Sequence, residues 1–211
     1  MTEFDHTQFE LNPKPYHRFF NTSWGEIIVT DHFYNDPSGV REEAAKLPVS
    51  RTVYDSPDMF DARATWLQSI TGNELVFTDM WLQFLANRYD VDVMCQWQTP
   101  TILINVNKIL SPKHQEYFFC PHRDPGELTT IVFLNDEYLK GDGFNIYNDA
   151  KIDEEQWVRR GESLVPEVFV QGKCNRAVTF KSEALHGMEV KTPYFASQNR
   201  LTQAIFTRKA E

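Results

Sequence analysis

The chain has 211 residues, 41% of them hydrophobic and 14% aromatic, which is enough apolar material for a sizeable core and too much for a disordered segment. A formal net charge of -9 repels a phosphate backbone, so nucleic acid is not an expected partner. Cys95, Cys120 and Cys174 are odd in number, far apart and without a CxxC pair, which argues against a disulfide framework and against a thiolate zinc site.

A reducing cytoplasm is the setting this composition suggests. The opening Met1-Thr2-Glu3-Phe4-Asp5 has neither a basic region nor an apolar one. No uninterrupted apolar run approaches the roughly 18 residues that span a bilayer, so membrane insertion is not expected.

In chain order, Met1 to Ser23 mixes polar, proline and aromatic residues without a period and reads as an irregular arm. Glu26 to Thr30 is β-branched and short, hence a strand. A helix is expected from Pro37 and Ser38, with Val40, Ala44, Ala45 and Leu47 as its apolar stripe and Pro48 as its stop. Val49 to Ser69 carries Asp55, Pro57, Asp58, Asp61 and Arg63 and reads as a loop, with Arg63 and Trp66 as candidate substrate contacts. Thr71 and Glu74 resemble a capping box, and Leu75, Phe77, Trp81, Phe84, Leu85 and Tyr89 then recur at helical spacing, giving a helix over Asn73 to Tyr89.

From Val91 the period becomes that of strands. Candidates are Asp92 to Gln98, Thr101 to Leu110, Glu116 to Pro121, Leu128 to Leu134, Phe144 to Tyr147, Glu167 to Gln171, Arg176 to Phe180, Gly187 to Lys191 and Leu201 to Thr207. Helices followed by such a run predict an all-β core with flanking helices (α+β), a barrel-like double sheet in a single domain. Residues 1–90 would form the arm and supporting helices, and residues 91–211 the core. The acidic insert Asp149 to Pro166 is expected to lie over the barrel mouth as a lid.

Inside that run stands His122-Arg123-Asp124. Residues two apart on an extended chain project to one side, so His122 and Asp124 can grip one ion while Arg123 is thrown to the other face. His186, which opens a later strand, is the candidate third ligand. Two imidazoles and one carboxylate on one face of an ion leave positions open for a co-substrate and O2, the arrangement of non-haem Fe(II) oxygenases. Arg200 heads the last strand with Thr202 on its face, a guanidinium fork and a hydroxyl suited to the distal carboxylate of a dicarboxylic acid.

The ordered set His122-Arg123-Asp124, His186, Arg200-Leu201-Thr202 resembles the HxD…H…RxS/T motif of the Fe(II)/2-oxoglutarate-dependent dioxygenases. Leu128 to Asn135 followed by Gly141-Asp142-Gly143-Phe144-Asn145-Ile146-Tyr147 is similar to a motif of their prolyl-hydroxylase-like branch, with Asp142 departing from the usual glycine pair. Ile28 to Pro37 resembles that branch's first strand and helix.

This resemblance implies a double-stranded β-helix of the jelly-roll, cupin-like type and an enzyme using Fe(II), 2-oxoglutarate and O2. It implies His122, Asp124 and His186 as metal ligands and Arg200 and Thr202 as co-substrate anchors, with Asn105 and Tyr117 where the family often has a further carboxylate partner. The expected partner is a small-molecule or peptide substrate, with succinate and CO2 released. Prolyl hydroxylases usually have Lys at the place of Arg200, so proline is not implied as substrate. Arg200 to Phe206 does not fit the closing motif of AlkB-type demethylases, and Asp124 fills the position that related halogenases leave open. Two other readings share the ligands: a cupin-like metalloenzyme without 2-oxoglutarate, and a non-catalytic jelly-roll that binds a small acid or a protein. Only the 2-oxoglutarate reading requires Arg200. Trp97 is a further candidate substrate contact, and Cys120 lies two residues before His122.

Overall fold

The computed structural model describes residues 5–45, 64–70, 76–91, 93–95, 101–107, 121–148, 165–189, 191, 194–197 and 200–209. After a 3-10 turn at His6–Phe9, the elements are β1 (Tyr16–Thr22), β2 (Gly25–Asp31), α1 (Pro37–Ala45), β3 (Ala64–Ile70), α2 (Val76–Tyr89), β4 (Val93–Cys95) and β5 (Thr101–Asn107). They continue with β6 (Leu128–Phe133), β7 (Gly143–Tyr147), β8 (Pro166–Gln171), β9 (Arg176–Lys181), β10 (His186–Glu189), α3 (Tyr194–Ser197) and β11 (Arg200–Lys209).

The strands form two antiparallel sheets. The larger has the order β1-β2-β9-β6-β11-β5-β3, with β4 paired to the far end of β11, and the smaller is β10-β7-β8. Alternation along the strands divides the core in two. Ile27, Val29, Phe133, Val178 and Phe180 of the large sheet pack against Phe144, Ile146 and Val170 of the small one. Ile28, Leu128, Val132, Ala177 and Ile205 face the other way, onto Val40 and Ala44 of α1 and Trp81 and Leu85 of α2. Each side chain of this size removed from water contributes about 1.5–3 kcal/mol, so the two apolar layers hold the sheets and helices in register. The site lies between the two sheets.

The helix expected from Pro37 is present, and its cap is Asp36: Oδ1 accepts the backbone N–H groups of Ser38 and Gly39, both at 3.0 Å. Pro37 takes the first helical position, where a missing N–H costs nothing. Two expectations need correction. Tyr16–Thr22 is a strand instead of part of an irregular arm, paired along its length with β2 through a turn at Gly25, whose φ of +97° suits glycine. Ala64–Ile70 is likewise a strand within the expected loop, paired with β5. Both stand at the ends of the sheet order, and an end strand needs no strict alternation of apolar residues, which removes the signal a sequence reading relies on.

The helix expected over Asn73 to Tyr89 is described from Val76, so its capping box falls outside the described residues. The expected strand Glu116 to Pro121 lies outside them but for Pro121, as does the insert but for its last residues.

Candidate metal centre

His122 is joined to the first residue of β10 by an antiparallel bridge: its N–H donates to the His186 carbonyl at 2.8 Å, and the His186 N–H donates back at 3.0 Å. Directly opposed residues of an antiparallel pair project to the same face. The two imidazole rings are accordingly 4.4 Å apart, centre to centre. Two residues on, the Asp124 N–H donates to the Ser182 carbonyl at 2.9 Å, which turns its carboxylate between the rings. Oδ1 lies 3.6 Å from His122 Nε2, and Oδ2 lies 3.2 Å from His186 Nε2.

One ligand atom from each residue falls within 4.8 Å of the others. Adjacent positions of an octahedral ion with bonds near 2.1 Å are about 3 Å apart, so the two His–Asp separations of 3.6 and 3.2 Å are near a metal's spacing and the cluster as a whole would contract around an ion. The donor chemistry fits as well. His186 Nδ1 lies 2.8 Å from the Ala184 carbonyl, which can only accept, so Nδ1 carries a proton and Nε2 is the nitrogen turned to Asp124, the one that gives up its proton when a metal takes its place. The ring is wedged between Phe180 and Phe144 at 4.6 and 5.4 Å. Burial by itself would raise the Asp124 carboxyl. The hydrogen bond and charge of His186, the charge of His122 and the Thr129 hydroxyl outweigh it and hold the group below its ordinary value, as the acceptor-only carboxylate.

The two histidines differ in access. The His186 side chain is 2% exposed and that of His122 is 54% exposed, so the centre is closed behind His186 and open beside His122.

Arg200 and Thr202 lie on the inner face of β11, which is paired in the large sheet with β5 on one side and β6 on the other. Arg200 is 4% exposed, and its Nη1 donates to Thr202 Oγ1 at 3.5 Å. Among the described residues no carboxylate comes within salt-bridge distance of it. Burial pushes the Arg200 pKa down, and the charges of Tyr138 and Asp142 push it back up. An arginine stays protonated even so, which makes this a buried cation without a contacting anion among the described residues. Asn105 stands in register with Thr202, and Trp66 with Asn105, so Phe133, Thr202, Asn105 and Trp66 form one row across β6, β11, β5 and β3. Tyr117, Arg63, Trp97 and Cys120 lie outside the described residues.

Several contributors left little trace in the sequence. The Ala184 carbonyl is a backbone group that any residue could supply. Asn135, which closes the Leu128 to Asn135 motif without a role the sequence shows, accepts the Leu201 N–H on Oδ1 at 2.7 Å and so sets the start of β11 beside Arg200. The departure at Asp142 has a local reason: its buried carboxylate accepts the Lys191 N–H at 2.8 Å, between Gly141 at φ +98° and Gly143, where a Cβ would come 2.1 Å from the Val170 carbonyl.

No protein-family model matches the sequence, and no curated protein does. Solved structures do match. One is the non-heme alpha ketoglutarate dependent carbocyclase SnoK from nogalamycin biosynthesis, with a TM-score of 0.54 and 10% identity over 88% of this chain and 80% of that one. Another is the non-heme alpha ketoglutarate dependent epimerase SnoN from the same biosynthesis, with a TM-score of 0.52 and 12% identity over 81% of this chain and 68% of that one. This chain therefore shares the fold of the non-heme α-ketoglutarate-dependent enzymes SnoK and SnoN, at a sequence distance where only the fold is held in common.

Proposed function

We propose that this protein is an Fe(II)- and 2-oxoglutarate-dependent oxygenase, built as one domain whose two sheets form a double-stranded β-helix. The observation that carries the proposal is a pairing: a His-Asp-His cluster open on one side, and between the same two sheets a buried arginine that has no contacting carboxylate among the described residues. Either feature alone has ordinary explanations, since His-carboxylate contacts and buried arginines occur in many proteins. Together they match a metal and a dianion that must be held at once.

In this reading His122, Asp124 and His186 hold Fe(II). The metal, when bound, supplies positions at which the keto acid and O2 react, with the overall balance 2-oxoglutarate + O2 + R–H giving succinate + CO2 + R–OH. The chain's own residues do the placing. Arg200 donates its fork to the distal carboxylate with Thr202 beside it, and Asn105, in register with Thr202, is a further carboxylate partner. Tyr117 has the same role by resemblance. The Ala184 carbonyl keeps the His186 proton on Nδ1, and the Phe144 and Phe180 rings exclude water behind that imidazole. Asp124 occupies the position a chloride would need, which favours oxygen insertion over halogenation.

Substrate would approach on the open side at His122. Its class is an amino acid, a peptide or protein side chain, or a small natural product. Among the described residues no helix is long and apolar enough to cross a membrane. The odd, widely spaced cysteines support a reducing, cytoplasmic setting.

The test is spectroscopic first. Anaerobic protein loaded with Fe(II) is expected to develop a metal-to-ligand charge-transfer band on addition of 2-oxoglutarate. A bound metal with no such band would favour a cupin-like enzyme that does not use the keto acid. Succinate release coupled to a substrate mass gain of one oxygen then identifies what is oxidised.

A further inference from the structure

Arg123 separates the two candidate ligands of the His122 to Asp124 segment, yet it is laced into the fold as firmly as they are. That segment crosses the end of the sandwich and is tied to the turn between β9 and β10 at three successive residues. His122 exchanges backbone hydrogen bonds with His186 at 2.8 and 3.0 Å, Arg123 Nη1 donates to the Glu183 carbonyl at 2.6 Å, and the Asp124 N–H donates to the Ser182 carbonyl at 2.9 Å. The middle tie is the one made by a side chain. The same guanidinium lies over the Trp24 ring, 4.7 Å from its centre, and Trp24 Nε1 donates to the Tyr147 carbonyl at 2.7 Å. Tyr147 ends β7, and its N–H donates to the Leu185 carbonyl at 2.9 Å, one residue before His186. One exposed arginine thus connects the ligand segment, the β1–β2 turn and the end of the small sheet. Among the described residues it has no carboxylate partner, so charge pairing does not explain its placement.

We propose that Arg123 is a positioning residue of the metal centre: by gripping the Trp24 ring and the Glu183 carbonyl it fixes the spacing of His122 and Asp124. The inference rests on the metal reading above. Its physical content is the gap between what a fold tolerates and what a metal tolerates. An exposed hydrogen bond and an exposed cation–π contact add little to the stability of a double sheet. Ligand atoms, in contrast, must be held to within about 0.5 Å of productive geometry. His122 is the ligand in greatest need of such help, because its side chain is half in solvent whereas His186 is packed between two phenyl rings. Loss of an outer partner of this kind typically weakens metal binding by about 10–100-fold.

The experiment titrates the metal-free full chain with Mn(II), a paramagnetic divalent ion that suits imidazole and carboxylate donors, and reads free Mn(II) by electron paramagnetic resonance. Arg123→Ala and Trp24→Leu are each expected to raise the Mn(II) dissociation constant about tenfold, at the low end of that range. The melting temperature of metal-free Arg123→Ala is expected to move by no more than about 2 °C. Arg123→Lys, which keeps a cation over the ring and a donor towards Glu183, is expected to recover part of the loss. Unchanged Mn(II) affinity in Arg123→Ala would overturn the proposal. So would a loss matched by a fall in melting temperature that Lys does not recover, which would mark a structural strap only. A wild-type chain that takes up no Mn(II) at all would overturn the metal reading itself and this role with it.

Discussion

The two ends of the candidate site treat charge in opposite ways. At the His122 end an anion stands between two imidazoles, so the cluster is electrostatically content before any metal arrives. At the Arg200 end the arginine is withdrawn from water, and among the described residues its guanidinium has one hydrogen-bond partner, a hydroxyl at 3.5 Å. A paired cluster says little about what it binds, because it also satisfies itself. A buried charge left without a contacting counter-ion costs stability unless a ligand compensates it, and so it specifies the ligand's charge. The more informative half of this site is therefore the half with no metal ligand in it.

The contrast can be tested most severely at the metal end. Asp124→Ala removes the one anionic member of the candidate ligand set and leaves two imidazoles without their bridge. Product formation is expected to fall to background, and iron retained after gel filtration to fall with it. A variant that kept both would remove Asp124 from the metal's surroundings.

Next in size is Arg200→Met. Two charge-assisted hydrogen bonds at about 1.5–3 kcal/mol each correspond to a loss of roughly 10²–10⁴ in 2-oxoglutarate affinity, measurable by calorimetry on the Fe(II)-loaded protein. Metal binding is expected to be unchanged, which separates the two ends. The free protein is expected to gain about 1 kcal/mol in urea unfolding, because an uncompensated buried charge is gone. A destabilised variant would mean that the guanidinium is compensated in the free protein.

Asp31 supplies the opposite case, a buried charge with abundant partners. Burial would raise its carboxyl, but the bidentate fork of Arg176, with Lys173 and Arg18 beside it, holds it below the ordinary value of 3.8. A depressed folded pKa means that the contribution is present at neutral pH and is lost as pH falls through and below about 4. Asp31→Asn is expected to cost about 1–3 kcal/mol at pH 7 and close to nothing at pH 2.5, read from urea melts at both. A pH-independent cost would assign the effect to packing.

The smallest effect belongs to a residue remote from either end. Asp36→Ala deletes the cap of α1 and is expected to cost about 1 kcal/mol of thermal stability. Metal and 2-oxoglutarate affinities should not move, which makes it the control for the three variants above.

The sequence by itself determined the elements whose pattern is local. The switch from helical to strand spacing near Val91, the start of α1 at Pro37, and the i, i+2 relations of His122 with Asp124 and of Arg200 with Thr202 follow from the geometry of one chain segment. Tertiary structure alone decided three things. It brought His186 opposite His122 through a bridge between residues 64 apart in the chain, a pairing no local period encodes. It made strands of Tyr16–Thr22 and Ala64–Ile70, whose partners supply the hydrogen bonds their own sequences do not announce. And it turned Arg200 from a residue that could have been an ordinary surface charge into a buried cation, because burial is a property of everything packed around a side chain and not of the side chain itself.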